Sequence, residues 1–286
     1  MTTAIDVRGM NVRSRRRVGT AVLHVVFLAG SVVVAFPFVW MILSSFKSIQ
    51  DFYNFGFLPS VFDVSAYQYV FTETNFARWY LNSAIVAVVV TFTNIVFCSL
   101  IGYTLAKFRF PGAKAVFVLI LSTLMVPTEM LVIPWYVSAV DLHLANTYVG
   151  IILPGVMEAF GIFLMRQFML GVPDDLLDAG RMDGLGEFRL WWRVAMPLVK
   201  PAIAALGIVT FLGNWNAYLW PVIVIATDQM RTIPVGIALY ATAVSNGIQW
   251  NTIMAMSVLT VVPMIVVFVI FQRQIISGIA LTGLKG

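Results

Sequence analysis

The sequence predicts an all-α polytopic membrane protein with six transmembrane helices and both termini on the cytoplasmic side. The first observation is composition: 60% of the 286 residues are hydrophobic and only 11% are charged, whereas soluble domains carry about 25% charged residues. The second is a series of long uncharged runs, and the third is a strong bias of Lys and Arg toward one set of loops. This composition excludes a water-soluble globular protein, and its hydrophobicity excludes disorder.

Six apolar runs are long enough to cross a bilayer, which takes about 20 residues of helix. We predict spans over residues 18–46, 79–106, 115–137, 147–168, 201–227 and 253–272. The segment 142–146 separates the third span from the fourth, and Ser245-Asn246-Gly247 separates a short interfacial or re-entrant piece from the sixth. The runs are apolar on every side, which is typical of lipid-buried helices and not of barrel strands.

Lys and Arg set the predicted orientation, because cytoplasmic loops carry the excess of these residues. With the N-terminus inside, fifteen of the 18 Lys and Arg residues fall in inner segments. We predict a basic inner tail over residues 1–17, a transmembrane domain over 18–275 and an inner C-terminal tail over 276–286. A signal peptide is the alternative for the N-terminus, but its apolar region spans only about 7–15 residues. The net charge of +5 is therefore a topology signal, and no nucleic-acid partner is expected.

One inner loop, over about residues 169–200, is folded and polar. Ten of the chain's 31 charged residues lie between positions 166 and 200. Pro173 favours the start of a helix, where its missing N–H costs nothing, and Asp183-Gly184 predicts the turn that ends it. Phe188 and Trp192 share one face of a second short helix, being four residues apart. Two interpretations stay open: a hairpin resting on the inner membrane surface, or a docking surface for a cytoplasmic partner.

The motif inside this loop resembles the signature of the permease subunits of bacterial ABC importers. That signature reads Glu-Ala-Ala, three residues, Gly, nine residues, Ile, one residue, Leu-Pro. The chain keeps its spacing with Asp178-Ala179-Gly180, Gly184, Val194 and Met196-Pro197, and departs from it at Asp178, Gly180, Val194 and Met196. The segments before and after this motif are similar to the maltose-type, binding-protein-dependent permeases of carbohydrate uptake. This similarity covers roughly residues 20 to 286.

This resemblance implies a permease of a bacterial or archaeal cytoplasmic membrane, and not an enzyme. It implies a cytoplasmic ABC ATPase dimer, a second and usually non-identical permease, and an extracytoplasmic solute-binding protein as partners, besides membrane lipid. The ATPase would bind ATP and Mg²⁺, and this chain would bind no cofactor or metal. In agreement with this expectation, the sequence has no phosphate loop ending in Gly-Lys-Ser/Thr. The solute would be a sugar, oligosaccharide or polyol, with a glycerol phosphate or other non-sugar solute as the alternative. The residues expected to dock the ATPase are Asp178, Ala179, Gly180, Asp183, Gly184 and Pro197.

Polar residues at membrane depth are candidates for the translocation path, because they are costly there unless they line a cavity or pair with one another. The candidates are Glu129, Asn214, Trp215 and Asn216. Glu129 lies between Pro127 and Pro134, which are expected to bend the third span. A packing role against neighbouring helices or the second permease is open for each. Glu158, in the fourth span, is a further candidate for which the resemblance gives no acidic counterpart.

Two rival classes are less well supported by the residues. A membrane-embedded headgroup transferase would need a second acidic pair after Asp183-Gly184 to hold a metal, and Glu187, Arg189 and Arg193 follow instead. A secondary transporter would normally have more spans and an inverted repeat, and no repeat is visible.

Overall fold

The computed structural model describes residues 12–54, 56–243 and 249–282, and all regular structure in these residues is helical, as predicted. The α-helices are α1 (Val12–Ser45), α2 (Ile49–Tyr53), α3 (Ser65–Thr72), α4 (Phe76–Lys107), α5 (Ala113–Thr123), α6 (Thr128–Asp141), α7 (Tyr148–Ile152), α8 (Ala159–Leu170), α9 (Asp174–Met182), α10 (Glu187–Leu190), α11 (Met196–Leu198), α12 (Lys200–Trp215), α13 (Leu219–Val224), α14 (Ile233–Ala243) and α15 (Trp250–Thr282). Most of the predicted basic tail (residues 1–11), the predicted break at Ser245-Asn246-Gly247 and residues 283–286 lie outside the described residues.

The described helices include three that are long and apolar enough to cross a membrane alone: Thr20–Ser45, Phe76–Lys107 and Trp250–Phe271. Three further pairs of helices pass the same test together but are bent at a short break, so the count rises to six if each pair crosses once. The pairs are α5 with α6, bent by 96°, Tyr148–Gly155 with α8, bent by 48°, and Glu187–Leu198 with α12, bent by 86°.

Three predicted details of these spans differ from the structure. The predicted fourth span over 147–168 is not one helix, because α7 ends at Ile152 and α8 begins at Ala159. Pro127 directly precedes α6, whereas Pro134 lies inside the continuous α6, so the bend falls at the first of the two prolines only. The predicted fifth span over 201–227 is not one helix, because α12 ends at Trp215 and α13 begins at Leu219. Asn214 and Asn216 flank this last break, but no charged residue or proline lies between Trp215 and Leu219 to mark it.

The chain divides into two compact units, and the first consists of residues 1–69 and 249–258. Its α1 is exposed along almost the whole of its described apolar surface. After α1 the chain is fixed around buried Lys47, whose Nζ lies 4.9 Å from the centroid of the Trp40 ring and donates a hydrogen bond to the Gly56 carbonyl. Asn251 Nδ2 donates to the Lys47 carbonyl over 3.1 Å.

The second unit, residues 70–248 and 259–286, is built around α4, against which α8 and α12 pack. Glycines allow α4 and α8 to touch closely. A Cβ added at Gly102 would lie 2.8 Å from the backbone N of Arg166, and one added at Gly161 would lie 2.8 Å from Sγ of Cys98. Small residues at such crossings are the usual device by which membrane helices gain packing energy.

Candidate functional site

The loop predicted over residues 169–200 folds as the helix, turn and helix expected from its sequence. α9 begins directly after Pro173 and carries Asp174 and Asp175 in its first turn, where carboxylates favour the positive end of the helix dipole. Gly184 has φ +79°, a left-handed conformation that glycine adopts without steric cost. The chain then enters α10 and continues through a π-helical turn (Trp191–Ala195) into α11.

The loop has an apolar interior of its own. Leu177, Leu190 and Trp191 are almost fully buried. Gly180 lies in this interior, because a Cβ added there would be 2.5 Å from Cδ2 of Leu190. Gly180 therefore faces the second helix of the loop, whereas Asp178, Ala179, Asp183, Gly184 and Pro197, the other predicted docking residues, are exposed.

A network of charged side chains ties the two helices of the loop to each other and to α4. The Arg181 guanidinium donates to Asp178 over 2.6 Å and to Glu187 over 2.8 Å. Glu187 also accepts a hydrogen bond over 3.1 Å from the Tyr103 hydroxyl on α4. The hydrogen bond from Arg181 is the main reason that the pKa of the Glu187 carboxyl is lowered below its usual range.

A second tie joins the start of α9 to the end of α4. Lys107 Nζ, almost fully buried, donates to the Val172 carbonyl over 2.5 Å and to the Asp174 carboxylate over 2.7 Å. The hydrogen bond and the charge of Lys107 lower the pKa of Asp174. The loop is thus held to α4 at both of its helices, and a force applied to the loop reaches that span directly.

Six large apolar side chains of the loop are exposed: Leu170, Leu176, Met182, Phe188, Trp192 and Leu198. We call four of these, which belong to the helix, turn and helix, the apolar ridge: Leu176, Met182, Phe188 and Trp192. Met182 is 89% exposed and Leu176 is 46% exposed, although the neighbouring Leu177 is only 1% exposed. Phe188 and Trp192 are both more than half exposed. Exposed apolar patches rimmed by charges mark places where a partner or a membrane binds.

The second candidate site is a cleft of about 430 Å³ in the second unit. It lies where three interrupted spans meet: Thr128 starts α6, Glu158 directly precedes α8, and Asn214 belongs to the end of α12. Irregular backbone at membrane depth is tolerated where it is buried in protein or lines a water-filled cavity. We refer to this space as the membrane cleft; its further lining includes Trp135, Thr210, Gly213 and Trp220.

The polar groups of the membrane cleft are only partly satisfied. Asn214 Nδ2 donates to the Thr210 carbonyl over 2.9 Å. The Thr210 hydroxyl is buried and has no hydrogen-bond partner among the described residues. Glu158 caps α8 without a side-chain hydrogen bond to it, and the ion pairs of the described residues do not include it.

Two indole rings form one wall of the membrane cleft. Trp135 and Trp220 meet edge to face, with ring centroids 5.8 Å apart and planes at 81°. The Trp220 indole N–H donates to the Gly150 carbonyl over 3.1 Å, which fixes that ring. Neither tryptophan, nor Thr210, was a candidate from the sequence, because a helical residue's direction into a cavity is set by packing that leaves no local signal.

Of the four path candidates, the structure places only Asn214 at the membrane cleft. Trp215 is buried and packs elsewhere, since its indole N–H donates to the Thr260 carbonyl over 3.1 Å and its ring stacks on Phe211 with centroids 5.7 Å apart. Asn216 donates to the Leu212 carbonyl over 2.8 Å, and Glu129 is exposed beside the lining residue Thr128. The packing interpretation therefore fits Trp215.

Comparison with known proteins finds a matching family and similar permeases. Residues 98–280 match the family model described as "Binding-protein-dependent transport system inner membrane component". The arabinooligosaccharides transport system permease protein AraQ of Halalkalibacterium halodurans is 35% identical, over 89% of this chain and 92% of its own length. The sn-glycerol-3-phosphate transport system permease protein UgpE of Agrobacterium fabrum is 31% identical, over 93% of this chain and 98% of its own length.

A solved structure shares the fold over nearly the whole chain. It is a chain of a bacterial ABC transporter involved in the import of the acidic polysaccharide alginate, with 25% sequence identity and a TM-score of 0.80. The match covers 95% of this chain and 99% of that one.

Proposed function

Because the chain belongs to the family of binding-protein-dependent transport system inner membrane components, we propose that it forms, with a second and non-identical permease, the path of an ATP-driven importer for a sugar, oligosaccharide or polyol. An external solute-binding protein delivers the solute. A cytoplasmic ABC ATPase dimer, and not this chain, binds ATP and Mg²⁺. The identity with an arabinooligosaccharide permease supports the carbohydrate class, and the identity with a glycerol phosphate permease makes that solute the second candidate.

The observation that carries the proposal is the apolar ridge on a rigid, charged loop. Docking would cover Met182 and Leu176, whose burial is favourable by about 25 cal/mol per Å² of apolar surface. The same loop exposes polar and small residues, which would supply the polar part of such an interface. They are Asp178, Ala179, Asp183, Gly184 and Pro197. Gly180 contributes from inside, by letting Leu190 pack against α9.

The same geometry suggests how ATP binding moves the membrane part. The loop is tied to α4 through Lys107 and Tyr103, and α4 packs against α8 and α12, which border the membrane cleft. A displacement of the docked loop would therefore tilt α4 with its neighbours. The energy comes from the ATPase, which must bind ATP more tightly in one of the two conformations, since a ligand shifts an equilibrium only by its differential affinity.

We place the protein in the cytoplasmic membrane of a bacterium or archaeon, with six spans and both termini inside. The pair α5 with α6 and the pair Tyr148–Gly155 with α8 then count as one crossing each, α12 belongs to the fifth crossing, and the loop with its apolar ridge, including Glu187–Leu198, lies on the ATPase side. The bias of Lys and Arg supports this orientation. Met182→Cys, expressed without the ATPase that would cover this position, should then react with a membrane-impermeant maleimide in inverted vesicles and remain unlabelled in intact cells.

Docking is tested by co-purification of the ATPase with the tagged chain in mild detergent. Met182→Glu places a charge on the ridge at a side chain that is 89% exposed, so the fold should be unaffected while ATPase recovery falls about tenfold or more. Met182→Leu keeps the apolar surface and is the matched control. Equal ATPase recovery with Met182→Glu and the wild type would contradict docking through this ridge and favour the membrane-surface interpretation.

A further inference from the structure

One hydroxyl group at the membrane cleft, that of Thr210, does not form the hydrogen bond to its own helix that threonines usually form. Threonines inside helices normally bond to the carbonyl four residues earlier, and three threonines of α4 do so: Thr91, Thr93 and Thr104 donate to such carbonyls over 2.6, 2.9 and 2.9 Å. Thr210 on α12 is 3% exposed, yet its hydroxyl has no partner among the described residues. A buried hydroxyl without a partner costs about 1–3 kcal/mol, so this position points to an external hydrogen-bonding group.

Two further polar groups border the same space. Glu158 places a carboxylate at the membrane cleft, and the Asn214 amide oxygen lies 3.5 Å from where a Cβ at Gly155 would be. An acidic side chain facing lipid is costly, and intramembrane acids almost always face a polar cavity or a partner. A carboxylate, an amide oxygen and a hydroxyl together can accept hydrogen bonds from several alcohol groups of one molecule.

The shape and the remaining walls of the cleft match the same kind of ligand. Its volume of about 430 Å³ is within the usual range of small-molecule pockets, which is about 300–1,000 Å³. Trp135 and Trp220 supply apolar aromatic surface beside the polar groups. A sugar ring has alcohol groups at its edge and C–H groups on its faces, so it can use both kinds of wall at once.

The charge of the cleft bears on whether neutral or anionic solutes bind there more favourably. Glu158 is an acid, and among the described residues the lining includes no Lys, Arg or His. An ionised Glu158 would repel a second negative charge in the cleft. A phosphate or a uronate carboxylate would meet this repulsion, and no cation among the described lining residues would offset it.

We infer that the membrane cleft is a solute subsite on the translocation path that accepts uncharged polyhydroxylated solutes and disfavours anionic ones, with Glu158, Thr210 and Asn214 as its hydrogen-bonding groups. This inference rests on the proposed importer function and narrows it, because it favours a neutral sugar over a glycerol phosphate. It also distinguishes the chain from its structural neighbour, whose transporter imports an acidic polysaccharide.

The test uses a cysteine in the cleft and the complete importer in membranes. Gly213 lines the cleft, and a Cβ added there meets no atom within 4 Å, so Gly213→Cys introduces a thiol without a clash. Cys98, the native cysteine, is buried, and the wild type serves as the unlabelled background. Labelling rates are compared for three methanethiosulfonates that carry a trimethylammonium, a hydroxyl or a sulfonate group, each with and without ATP.

Each rate is first divided by the rate of the same reagent with a small free thiol in solution, because the thiolate itself favours the cationic reagent. The inference predicts that, after this correction, the cationic and neutral reagents label Gly213→Cys at least about tenfold faster than the anionic one. Adding Glu158→Gln, which keeps the size of the side chain, should remove most of this difference. Equal rates for all three reagents, a faster anionic reagent, or a preference that survives Glu158→Gln would overturn the charge rule.

Two other outcomes would overturn the subsite itself. The first is labelling of the isolated chain but not of the assembled importer, since the second permease would then cover the cleft permanently; the second is an absence of labelling in both. Import of sn-glycerol 3-phosphate or of alginate oligosaccharides by the wild-type importer would also contradict the inference. Failure of the importer function is seen separately, as absence of an ATPase when the wild-type chain is co-purified in mild detergent.

Discussion

Leu176 and Leu177 are adjacent in sequence, but Leu176 is partly exposed and Leu177 is buried, which allows the same substitution to test the outside and the inside of the loop. Leu177 is 1% exposed and packs in the loop interior, so Leu177→Ala should destabilise the loop by about 2–5 kcal/mol. Leu176 is 46% exposed, and Leu176→Ala should leave the loop stable. If docking buries the exposed part of Leu176, which is roughly half of a leucine side chain, affinity for the ATPase should fall by about 1 kcal/mol, or roughly fivefold.

The two effects are separated by limited proteolysis and by titration of the ATPase. We expect Leu177→Ala to be cleaved rapidly between residues 174 and 198, and to lose the ATPase as a consequence. Leu176→Ala should resist proteolysis as the wild type does and show only the weaker binding. A Leu177→Ala loop as resistant as the wild type, or a Leu176→Ala variant with unchanged affinity, would refute this account of the two faces.

Three further predictions concern helix contact, turn geometry and pH. Gly102→Ala should lower the thermal unfolding temperature of the detergent-solubilised chain, because its Cβ would lie 2.8 Å from a backbone atom of α8; Gly30→Ala, at a helical site with nothing within 4 Å, is the control. Gly184→Ala should weaken ATPase coupling in a transport-linked ATPase assay, since a left-handed residue with a Cβ costs about 1–2 kcal/mol, and Gly184→Asn should be milder. Because Lys107 lowers the pKa of Asp174, that pair stabilises the loop above the unfolded carboxyl pKa of about 3.9 and is lost as pH falls through the lower folded value. Protease resistance should therefore be flat from about pH 8 to pH 5 and decline below about pH 4, less steeply in Asp174→Asn.

Much of the fold could be predicted because its signals are local. Pro173, the two acids after it and Asp183-Gly184 specify the start and end of α9 through capping and turn chemistry. The breaks within the spans were harder to predict from the sequence. Pro127 marks one of them. The end of α12 at Trp215 falls between Asn214 and Asn216, which were predicted from the sequence as path or packing residues and not as the end of a helix.

The membrane cleft shows a second limit of sequence reasoning. Asn214, Trp215 and Asn216 form one polar-aromatic cluster in the sequence, but successive residues of a helix point in directions about 100° apart. Only Asn214 reaches the cleft, while Trp215 bonds to a carbonyl of α15. Contacts such as that of Tyr103 with Glu187, 84 positions apart, leave no mark that one sequence can reveal.

The central claim is that the apolar ridge binds an ABC ATPase, and site-specific photocrosslinking from position 182 tests it most directly. A photoreactive amino acid at this exposed position is activated in native membranes, and the products are identified by mass spectrometry. The same residue at buried position 177 is the control. The account predicts a crosslink from position 182 to a P-loop ATPase, near its nucleotide-binding core, and none from position 177. Crosslinks from position 182 to lipid alone would contradict it and make the loop an element of the membrane surface.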